Sequence, residues 1–299
     1  MTLRQKVEDA CFRYYRIAGR LLIKYSSNPR PSSAPYISGD GFRSMAQHIF
    51  DNTSRTLSGD DVAEGDIVFV GDSLIEEFIE KVHPQITSQY TLVTHNGDAV
   101  ITKTLFDQIH DKLLMWYGIN MQYTHPKIVP LPLGIENKYF FVNGITTIFD
   151  YVEKKCSEKK DKIFYGFSVG AHPVERGAAL KNIQINPNGE TLTAWRGFFF
   201  YLVILNTYKL VLSPPGSCEE GHRTWDTMYI GSVPIVKNSP TTEYYKKIGV
   251  PLISVQDWEE LQKFDTLFIQ TEYDKAIAQS DRHTLTLDYW VNKIKNLES

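Results

Sequence analysis

Short apolar runs that alternate with polar turns and amphipathic stretches organise most of this chain. In the first half, residues 66–70 and 90–94 are apolar enough to form buried strands, and a third apolar run at 127–133 is broken by prolines. Proline removes a backbone donor, so this third run fits a sheet edge or an extended connection. The second half repeats the pattern at 162–168, 208–213 and 232–236. Strands separated by helical segments predict an α/β fold with βαβ units and parallel sheets.

The amino-terminal segment has the period of an amphipathic helix. Apolar residues recur at helical spacing with Arg and Lys between them: Val7, Cys11, Tyr14, Ala18 and Leu21. A Ser- and Pro-rich run at 26–35 ends the helix. No apolar run approaches the ~18 residues of a membrane span, and the segment lacks the apolar core of a signal peptide. We therefore expect a soluble, cytoplasmic protein with no integral membrane segment.

A charge-rich stretch at residues 153–162 marks the best place for a domain boundary. Its four lysines fit a solvated linker or helix face better than a patch for an anionic partner: Lys154, Lys155, Lys159 and Lys160. The 299 residues suffice for two domains of about 120–150 residues each. We predict one domain over 1–155, a second over 156–280 and a closing helix over 281–299.

Composition narrows the classes of partner. Hydrophobic residues make up 42% and charged residues 22% of the chain, as in an ordinary globular protein. The formal charge of −3 does not suggest the clustered basic face that nucleic acid requires, so no nucleic-acid partner is expected. Aromatic residues, at 13%, fill a core or stack on sugar rings. Cys11, Cys156 and Cys218 lie too far apart for a metal motif and suggest reduced thiols.

The segment from residue 213 to 236 is the most informative part of the sequence. A strand ends at Ser213, a Pro/Gly loop follows, a helix then runs to about Ile230, and Gly231 caps it before the next strand. A helix that starts after a parallel strand favours anions, because its amides and dipole point at them. Arg223 can pair with phosphate oxygens, and Asp226, three residues on, can accept from ribose hydroxyls. A plain surface ion pair between the two fits the spacing equally well.

This segment resembles the signature of exostosin-like glycosyltransferases. The matching motifs are Pro214-Pro215-Gly216, Arg223-Thr224-Trp225-Asp226 and Gly231-Ser232-Val233-Pro234-Ile235-Val236. The match is specific over about 25 residues and extends as a pattern from about 162 to 260. The family usually has Glu where this chain has Asp226, which is one methylene shorter, and a small hydroxyl residue where it has His222.

The resemblance implies a GT-B fold, in which two Rossmann-like domains with parallel sheets face a central cleft. It implies that 1–155 binds the acceptor and 156–280 the nucleotide-sugar. The activity implied is inverting transfer of a hexosyl or pentosyl group from a nucleotide-diphosphate sugar, UDP-linked first and GDP-linked second, to a glycan hydroxyl. Partners are therefore a nucleotide-sugar donor and a carbohydrate acceptor. The expected donor-binding residues are Arg176, Pro215, Gly216, Ser217, His222, Arg223 and Asp226.

Two further expectations come from the same resemblance. Family members carry an Arg after the strand that corresponds to 162–168, and Arg176 stands there, unless it is an ordinary loop arginine. GT-B enzymes generally need no catalytic metal, and this chain has no convincing Asp-x-Asp motif after a hydrophobic strand. We expect no cofactor and no metal, with the charge of the departing diphosphate stabilised by Arg176, Arg223 and the helix N-terminus.

An inverting transfer needs a general base, and loops at the carboxyl ends of strands are where ligands collect. Asp72 follows the strand at 66–70 and is the leading candidate, with Asp98 and His95 behind it and Asp40 as a further acidic loop residue. Asp72 also fits a helix N-cap. The Asn96-Gly97-Asp98 cluster equally fits an ordinary turn.

Carboxylates near the proposed phosphate site leave other roles open. One of Glu219 and Glu220 is a candidate for a base aimed at the acceptor, although Ser217 and Glu220 also fit a capping box. The Gly134-Ile135-Glu136 turn either borders the ligand or only connects the domains. Two other functions remain: a non-catalytic nucleotide- or sugar-binding module, and a transferase that moves pyruvyl or phosphoryl groups.

Overall fold

The computed structural model of the protein describes residues 3–155, 158–192 and 197–298. Cys156 lies outside the described residues. The α-helices are α1 Leu3–Lys24, α2 Gly39–Arg43, α3 Ile75–Lys81, α4 Lys103–Asp107, α5 Thr146–Glu153, α6 Pro173–Gln184, α7 Phe198–Leu205, α8 His222–Tyr229, α9 Pro240–Lys247, α10 Thr266–Ala278 and α11 Leu287–Lys295. The strands are β1 His48–Phe50, β2 Ile67–Gly71, β3 Tyr90–His95, β4 Leu113–Gly118, β5 Ile128–Pro130, β6 Lys160–Phe164, β7 Gly189–Glu190, β8 Tyr208–Leu212, β9 Val233–Lys237 and β10 Ile253–Val255.

The strands form two separate parallel sheets, each with helices around it. One sheet has the order β1-β2-β3-β4-β5, and the other has the order β10-β9-β8-β6-β7. The central strands β2 and β3 are buried along their whole length, as strands covered on both faces must be. The α/β class and the two Rossmann-like parallel sheets predicted from the sequence are thus confirmed.

Most predicted strands lie within a few residues of their observed positions. The proline-broken run at 127–133 contains β5, which is an edge strand as expected. β6 begins two residues earlier than predicted, at Lys160, and ends at Phe164. β1, β4, β7 and β10 were not predicted. β4 is buried at both ends and in most of its middle, including Trp116 and Tyr117, so its apolar run carries no alternation to distinguish strand from helix.

The chain divides into two compact units at positions other than those predicted. Unit 1 comprises Met1–Ser33 with Gly134–Leu285, and unit 2 comprises Ala34–Leu133 with Thr286–Ser299. Residues 134–155 therefore belong with the second sheet, although the sequence placed them in the 1–155 domain. The packing explains this: the ring centroids of Phe149 on α5 and Phe198 on α7 lie 5.5 Å apart.

The two ends of the chain also differ from the predicted division. α1 belongs to unit 1, where the Phe12 ring stacks on Phe199 at 4.8 Å. α11 belongs to unit 2 and does not close the second sheet, because the Tyr117 hydroxyl on β4 donates to the backbone oxygens of Lys293 and Glu298 at 3.2 and 2.8 Å. These contacts join residues far apart in sequence, so no local composition shift marks them.

Three of the four lysines predicted to form a solvated linker or helix face at 153–162 make ion pairs or hydrogen bonds within unit 1, whereas Lys154 is exposed, as that prediction required. Lys155 pairs with Glu8 at 2.8 Å, and Lys160 pairs with Glu190 at 3.0 Å. Lys159 donates to four oxygens at 2.9–3.1 Å: Asn206 O, Asn206 Oδ1, Ile230 O and Ser232 Oγ. Its ammonium thus joins the end of α7, the end of α8 and the start of β9. Most of this stretch stabilises unit 1.

Lys159→Met is expected to lower the free energy of unfolding by about 2–4 kcal/mol, because it leaves several buried or half-buried acceptors without a charged donor. The exposed neighbour Lys154 is the matched control, and Lys154→Met should change stability by less than about 0.5 kcal/mol. Urea denaturation of both variants, followed by circular dichroism, measures the difference. Equal midpoints for the two variants would show that the four contacts contribute nothing net.

Candidate functional site

The loop between β8 and α8 lies at the carboxyl end of a central strand of unit 1. Ser213 and Thr224 share a hydroxyl hydrogen bond of 2.8 Å, which ties the start of the loop to the first turn of the helix. The helix begins at His222 with Gly221 as its N-cap, and Gly221 offers no side-chain cap. No side chain at the N-cap therefore accepts from the amides of the first turn, and such amides favour an anion as acceptor.

The capping box proposed for Ser217 and Glu220 is wrong, because α8 starts five residues after Ser217. Glu220 instead accepts from Trp225 Nε1 at 2.7 Å and from the Tyr245 hydroxyl at 2.9 Å. Glu219 accepts from Thr241 Oγ1 at 2.9 Å. Both carboxylates are thus engaged in holding the loop against α8 and α9, which argues against either as a base.

The carboxyl end of α8 has the predicted glycine cap. Gly231 has φ of +72°, a backbone conformation that favours glycine. Its amide donates to Met228 O at 3.0 Å, and the Ser232 amide donates to Thr227 O at 3.1 Å. This pair of bonds is a Schellman motif. It turns the chain directly from α8 into β9 and so fixes the helix relative to the sheet.

Two arginines from different helices meet beside this loop. Arg223, the second residue of α8, donates from Nη2 to Gly166 O at 2.7 Å. Arg176 on α6 donates from Nε to Pro215 O at 2.6 Å and from Nη1 to Ser168 O at 2.9 Å. Both guanidinium carbons lie over the Phe167 ring, 5.7 and 6.0 Å from its centroid. The structure thus brings together two residues that the sequence separates by nearly fifty positions.

The two positive charges are close enough to affect each other. Burial, and next the charge of Arg223, lower the pKa of the Arg176 guanidinium from its ordinary value. Because guanidinium groups stay protonated in proteins, this repulsion is relieved by an anion and not by loss of a proton. The pair therefore concentrates positive charge beside the N-terminus of α8.

The predicted loop residues lie at the same place. A side chain at Gly216 would begin 3.1 Å from Arg176 Nη2, so glycine allows the guanidinium to approach the backbone. Pro215 supplies the carbonyl that Arg176 binds. Ser217 is exposed, and the exposed His222 donates from Nδ1 to Gly134 O at 2.8 Å. The Gly134-Ile135-Glu136 turn therefore borders this site within unit 1, as one of its two interpretations required.

Asp226 lies inside unit 1 and not on its surface. Its exposed fraction is 6%, so the alternative of a plain surface ion pair with Arg223 is wrong. Burial raises the pKa of the Asp226 carboxyl well above its usual range, and the negative charge of Glu136 raises it further. The positive charge of Arg223 and a hydrogen bond from the Tyr201 hydroxyl lower this pKa, but they do not offset the effect of burial. Asp226 and Tyr201 are thus the buried members of a cluster that also contains the partly exposed Arg223 and Glu136.

Sequence reasoning missed Tyr201 and Phe167. Tyr201 stands in the apolar run of α7, where nothing distinguishes it from its phenylalanine neighbours. Phe167 follows β6 in a loop whose position depends on the sheet. Both are brought to Arg223 by tertiary packing, for which the sequence carried no local signal.

In unit 2, the loops after β2 and β3 also meet. Asp72 follows β2 and is fully buried. A side chain at Gly97, in the loop after β3, would collide with Asp72 Oδ1. Burial raises the pKa of the Asp72 carboxyl to about 7, the charge of Asp98 adds to this, and the backbone amides of Ser73 and Ala99 oppose it.

Asp72 is not a helix N-cap. α3 begins at Ile75, and its N-cap Leu74 makes no side-chain cap bond, so the capping interpretation of Asp72 or Ser73 is wrong. A carboxyl with a pKa near neutrality is suited to proton transfer at physiological pH. Burying the Asp72 carboxyl lowers the stability of the folded chain when that carboxyl is charged, and a helix-capping role would not explain why it is buried.

His95 is held at both ring nitrogens. Its Nδ1 accepts from the Asn96 amide at 2.7 Å, and its Nε2 lies 3.2 Å from Pro132 O, to which it donates in that tautomer. Asn96 has φ of +68° and donates to Asp40 Oδ1 at 3.2 Å. The side chain of Asn96 thus links the loop after β3 to α2, and the ring of His95 links the end of β3 to Pro132. These bonds suit a positioning role for His95 better than that of a base.

Over residues 3–155, 158–192 and 197–298, no group of three or more His, Cys, Asp or Glu side chains is arranged to hold a metal ion. Within the same ranges, no helix combines the length and apolar character needed to cross a bilayer.

Comparison with known protein families gives a match to part of the second half of the chain. Residues 187–297 match the family described as the RXYLT1 C-terminal domain, which is an exostosin-related xylosyltransferase family. This range contains the whole 213–236 segment, and the resemblance to exostosin-like glycosyltransferases is confirmed. A search of curated proteins gives no match.

The solved structures that this chain matches are distant from it in sequence. The pneumococcal O-GlcNAc transferase GtfA, in complex with UDP and GlcNAc, is 11% identical with a TM-score of 0.37, covering 79% of this chain and 58% of that one. A glycosyltransferase from Rickettsia africae ESF-5 is 11% identical with a TM-score of 0.35, covering 78% of this chain and 76% of that one. The chain thus spans little more than half the length of the pneumococcal protein.

Proposed function

We propose that this chain, a glycosyltransferase-like protein by its family match and its two parallel α/β sheets, transfers a sugar from a nucleotide-diphosphate sugar to a hydroxyl of a glycan. The observation that carries the proposal is the meeting of Arg176 and Arg223 at the N-terminus of α8. Two guanidinium groups and a helix N-terminus suit a diphosphate, which presents several oxygens to planar, bidentate donors.

Each part of the donor has a proposed partner in unit 1. The diphosphate binds Arg176, Arg223 and the backbone of the Pro215-Gly216-Ser217 loop, and His222 lines the same site. Asp226 accepts from the ribose hydroxyls, directly or through a water molecule, because its side chain is shorter than the glutamate usual in the family. UDP is the favoured nucleotide and GDP the second, on the strength of the family resemblance.

In this proposal Asp72 is the general base of an inverting transfer. It takes the proton of the acceptor hydroxyl as the hydroxyl oxygen bonds to the anomeric carbon, and the nucleoside diphosphate leaves from the opposite face with the bonding electrons. Arg176 and Arg223 stabilise the charge that develops on the departing phosphate. Asp98 raises the pKa of Asp72, and His95 holds the adjoining loop. No metal enters these steps.

Release of nucleotide tests the proposal. The purified protein, in buffer with a chelator, is incubated with UDP-sugars and GDP-sugars, with and without simple glycosides as acceptors. We expect turnover with one nucleotide family, persistence of activity in the chelator, and an inverted anomeric configuration in the product by NMR. Tight nucleotide binding with no turnover under all of these conditions would show that the protein is a non-catalytic binding module and not a transferase.

The ribose contact is tested with Asp226→Asn. We expect this change to weaken UDP binding by about tenfold, as loss of a hydrogen-bond acceptor does, without lowering the unfolding midpoint, because burial already raises the pKa of this carboxyl. Calorimetry with UDP and 2′-deoxy-UDP separates ribose binding by Asp226 from a role in holding Arg223 in place. If the carboxylate binds ribose, the substitution costs less with the deoxy ligand. An equal loss for both ligands would assign Asp226 to holding Arg223 in place.

A further inference from the structure

α1 carries apolar side chains on the face that it does not use for packing. Six large apolar residues on α1 or just beyond it are more than half exposed: Val7, Tyr14, Ile17, Leu21, Leu22 and Tyr25. Together with Cys11 and Ala18 they follow the helical period that predicts a buried stripe. In the structure this apolar stripe faces away from unit 1. An exposed apolar patch of this kind marks a surface that binds another protein or a membrane.

The opposite face of α1 fixes which way the apolar stripe points. Phe12 stacks on Phe199 at 4.8 Å, and Glu8 accepts from the Tyr151 hydroxyl at 2.6 Å. Gly19 lies so close to the Phe141 ring that any side chain at Gly19 would collide with it. These three contacts lie on one side of the helix. Rotating the apolar stripe inward would break all of them.

The charge of α1 is opposite in sign to that of the rest of the chain. Residues 1–25 contain six basic and two acidic residues, a formal charge of +4, whereas the remaining residues carry −7. Four of the basic side chains are exposed beside the apolar stripe: Lys6, Arg13, Arg20 and Lys24. Such an asymmetry indicates an anionic partner for this segment alone.

We propose that α1 binds the surface of an anionic lipid bilayer, with its axis in the plane of the membrane. The apolar stripe enters the boundary between headgroups and acyl chains, its tyrosines lie at headgroup depth, and the flanking basic residues pair with lipid phosphates. A second copy of the chain fits less well, since it would bring another +4 against the first. The proposal does not depend on the transferase function.

Vesicle sedimentation tests this surface with the full chain. We expect binding to vesicles that contain phosphatidylglycerol to exceed binding to pure phosphatidylcholine by at least about tenfold, and to weaken as salt is raised. The triple variant Tyr14→Ser, Leu21→Ser, Leu22→Ser, and separately Arg13→Gln with Arg20→Gln, should each reduce that binding by about tenfold or more. The matched control replaces exposed apolar residues elsewhere in unit 1, Val174→Ser with Leu267→Ser, and should bind like the unaltered chain.

Two outcomes would overturn the proposal. One is failure of the folded, unaltered chain to sediment with anionic vesicles. The other is a dimer by light scattering that the triple serine variant converts to monomer, with vesicle binding unaffected by that variant; this would make a second copy the occupant of the apolar stripe. Because only exposed residues are changed, the variants should keep the unfolding midpoint of the original chain.

Discussion

Replacing Arg223 with alanine is expected to weaken binding of a nucleoside diphosphate by about 100-fold and to reduce sugar transfer at least as much. The substitution removes one of the two guanidinium groups that lie over Phe167. Arg223→Lys keeps the charge but loses the planar fork, so we expect an intermediate loss of about tenfold. Calorimetric titration of the variants with UDP and GDP provides the measurement.

The matched control for Arg223 is Arg282, a largely exposed arginine of unit 1 that pairs with Glu153 at 3.0 Å. Arg282→Ala should leave nucleotide affinity unchanged. Arg176→Ala should resemble Arg223→Ala, and the double variant should lose less than the sum of the two, because both residues bind the same anion. Normal affinity in folded Arg223→Ala protein would end the phosphate assignment.

The second large effect is expected from Asp72→Asn, which should lower the rate of transfer by about 100- to 10,000-fold, since the amide cannot accept a proton from the acceptor. Transfer by the unaltered chain should rise with pH through about 7, as the Asp72 carboxyl loses its proton. Asp98→Asn removes a charge that raises this pKa, so its rising limb should shift to lower pH. An unshifted limb, or near-normal activity of Asp72→Asn, would exclude Asp72 as the base.

The same group makes a prediction for stability that does not require activity. The pKa of Asp72 is raised on folding from 3.8 to about 7, so the folded state binds the proton more tightly. The associated stability is present below about pH 4 and is lost as pH rises towards 7. Asp72→Asn should therefore be more stable than the unaltered chain by about 2–4 kcal/mol at pH 8, and nearly equal to it at pH 4. Urea denaturation at the two pH values measures this difference.

The α8 region shows how far local sequence reasoning reaches. The strand, loop, helix and glycine cap from 213 to 236 are encoded by neighbouring residues, and all four are present. The start of α8 was misplaced because Glu220, which fitted a capping box, is engaged by Trp225 and Tyr245 instead. Those partners are set by the packing of α8 against α9.

The division into units shows what the sequence could not specify. The charged stretch at 153–162 looks like a linker because lysines are usually solvated, yet Lys159 joins α7, α8 and β9. α1 and α11 each return to a sheet that lies far away in the chain. Likewise, Arg176 and Asp72 were predicted from the strands that they follow, whereas Phe167, Tyr201 and the burial of Asp226 depend on long-range packing.

Titration of the unaltered chain with UDP, UMP and uridine, and with the matching guanosine series, tests whether Arg176, Arg223 and the N-terminus of α8 bind a nucleoside diphosphate. With or without magnesium, we predict that the diphosphate of one series binds at least about tenfold more tightly than the monophosphate, and the monophosphate more tightly than the nucleoside. Affinity that does not depend on the number of phosphates, or no binding in either series by a folded protein, would show that these groups do not bind a diphosphate.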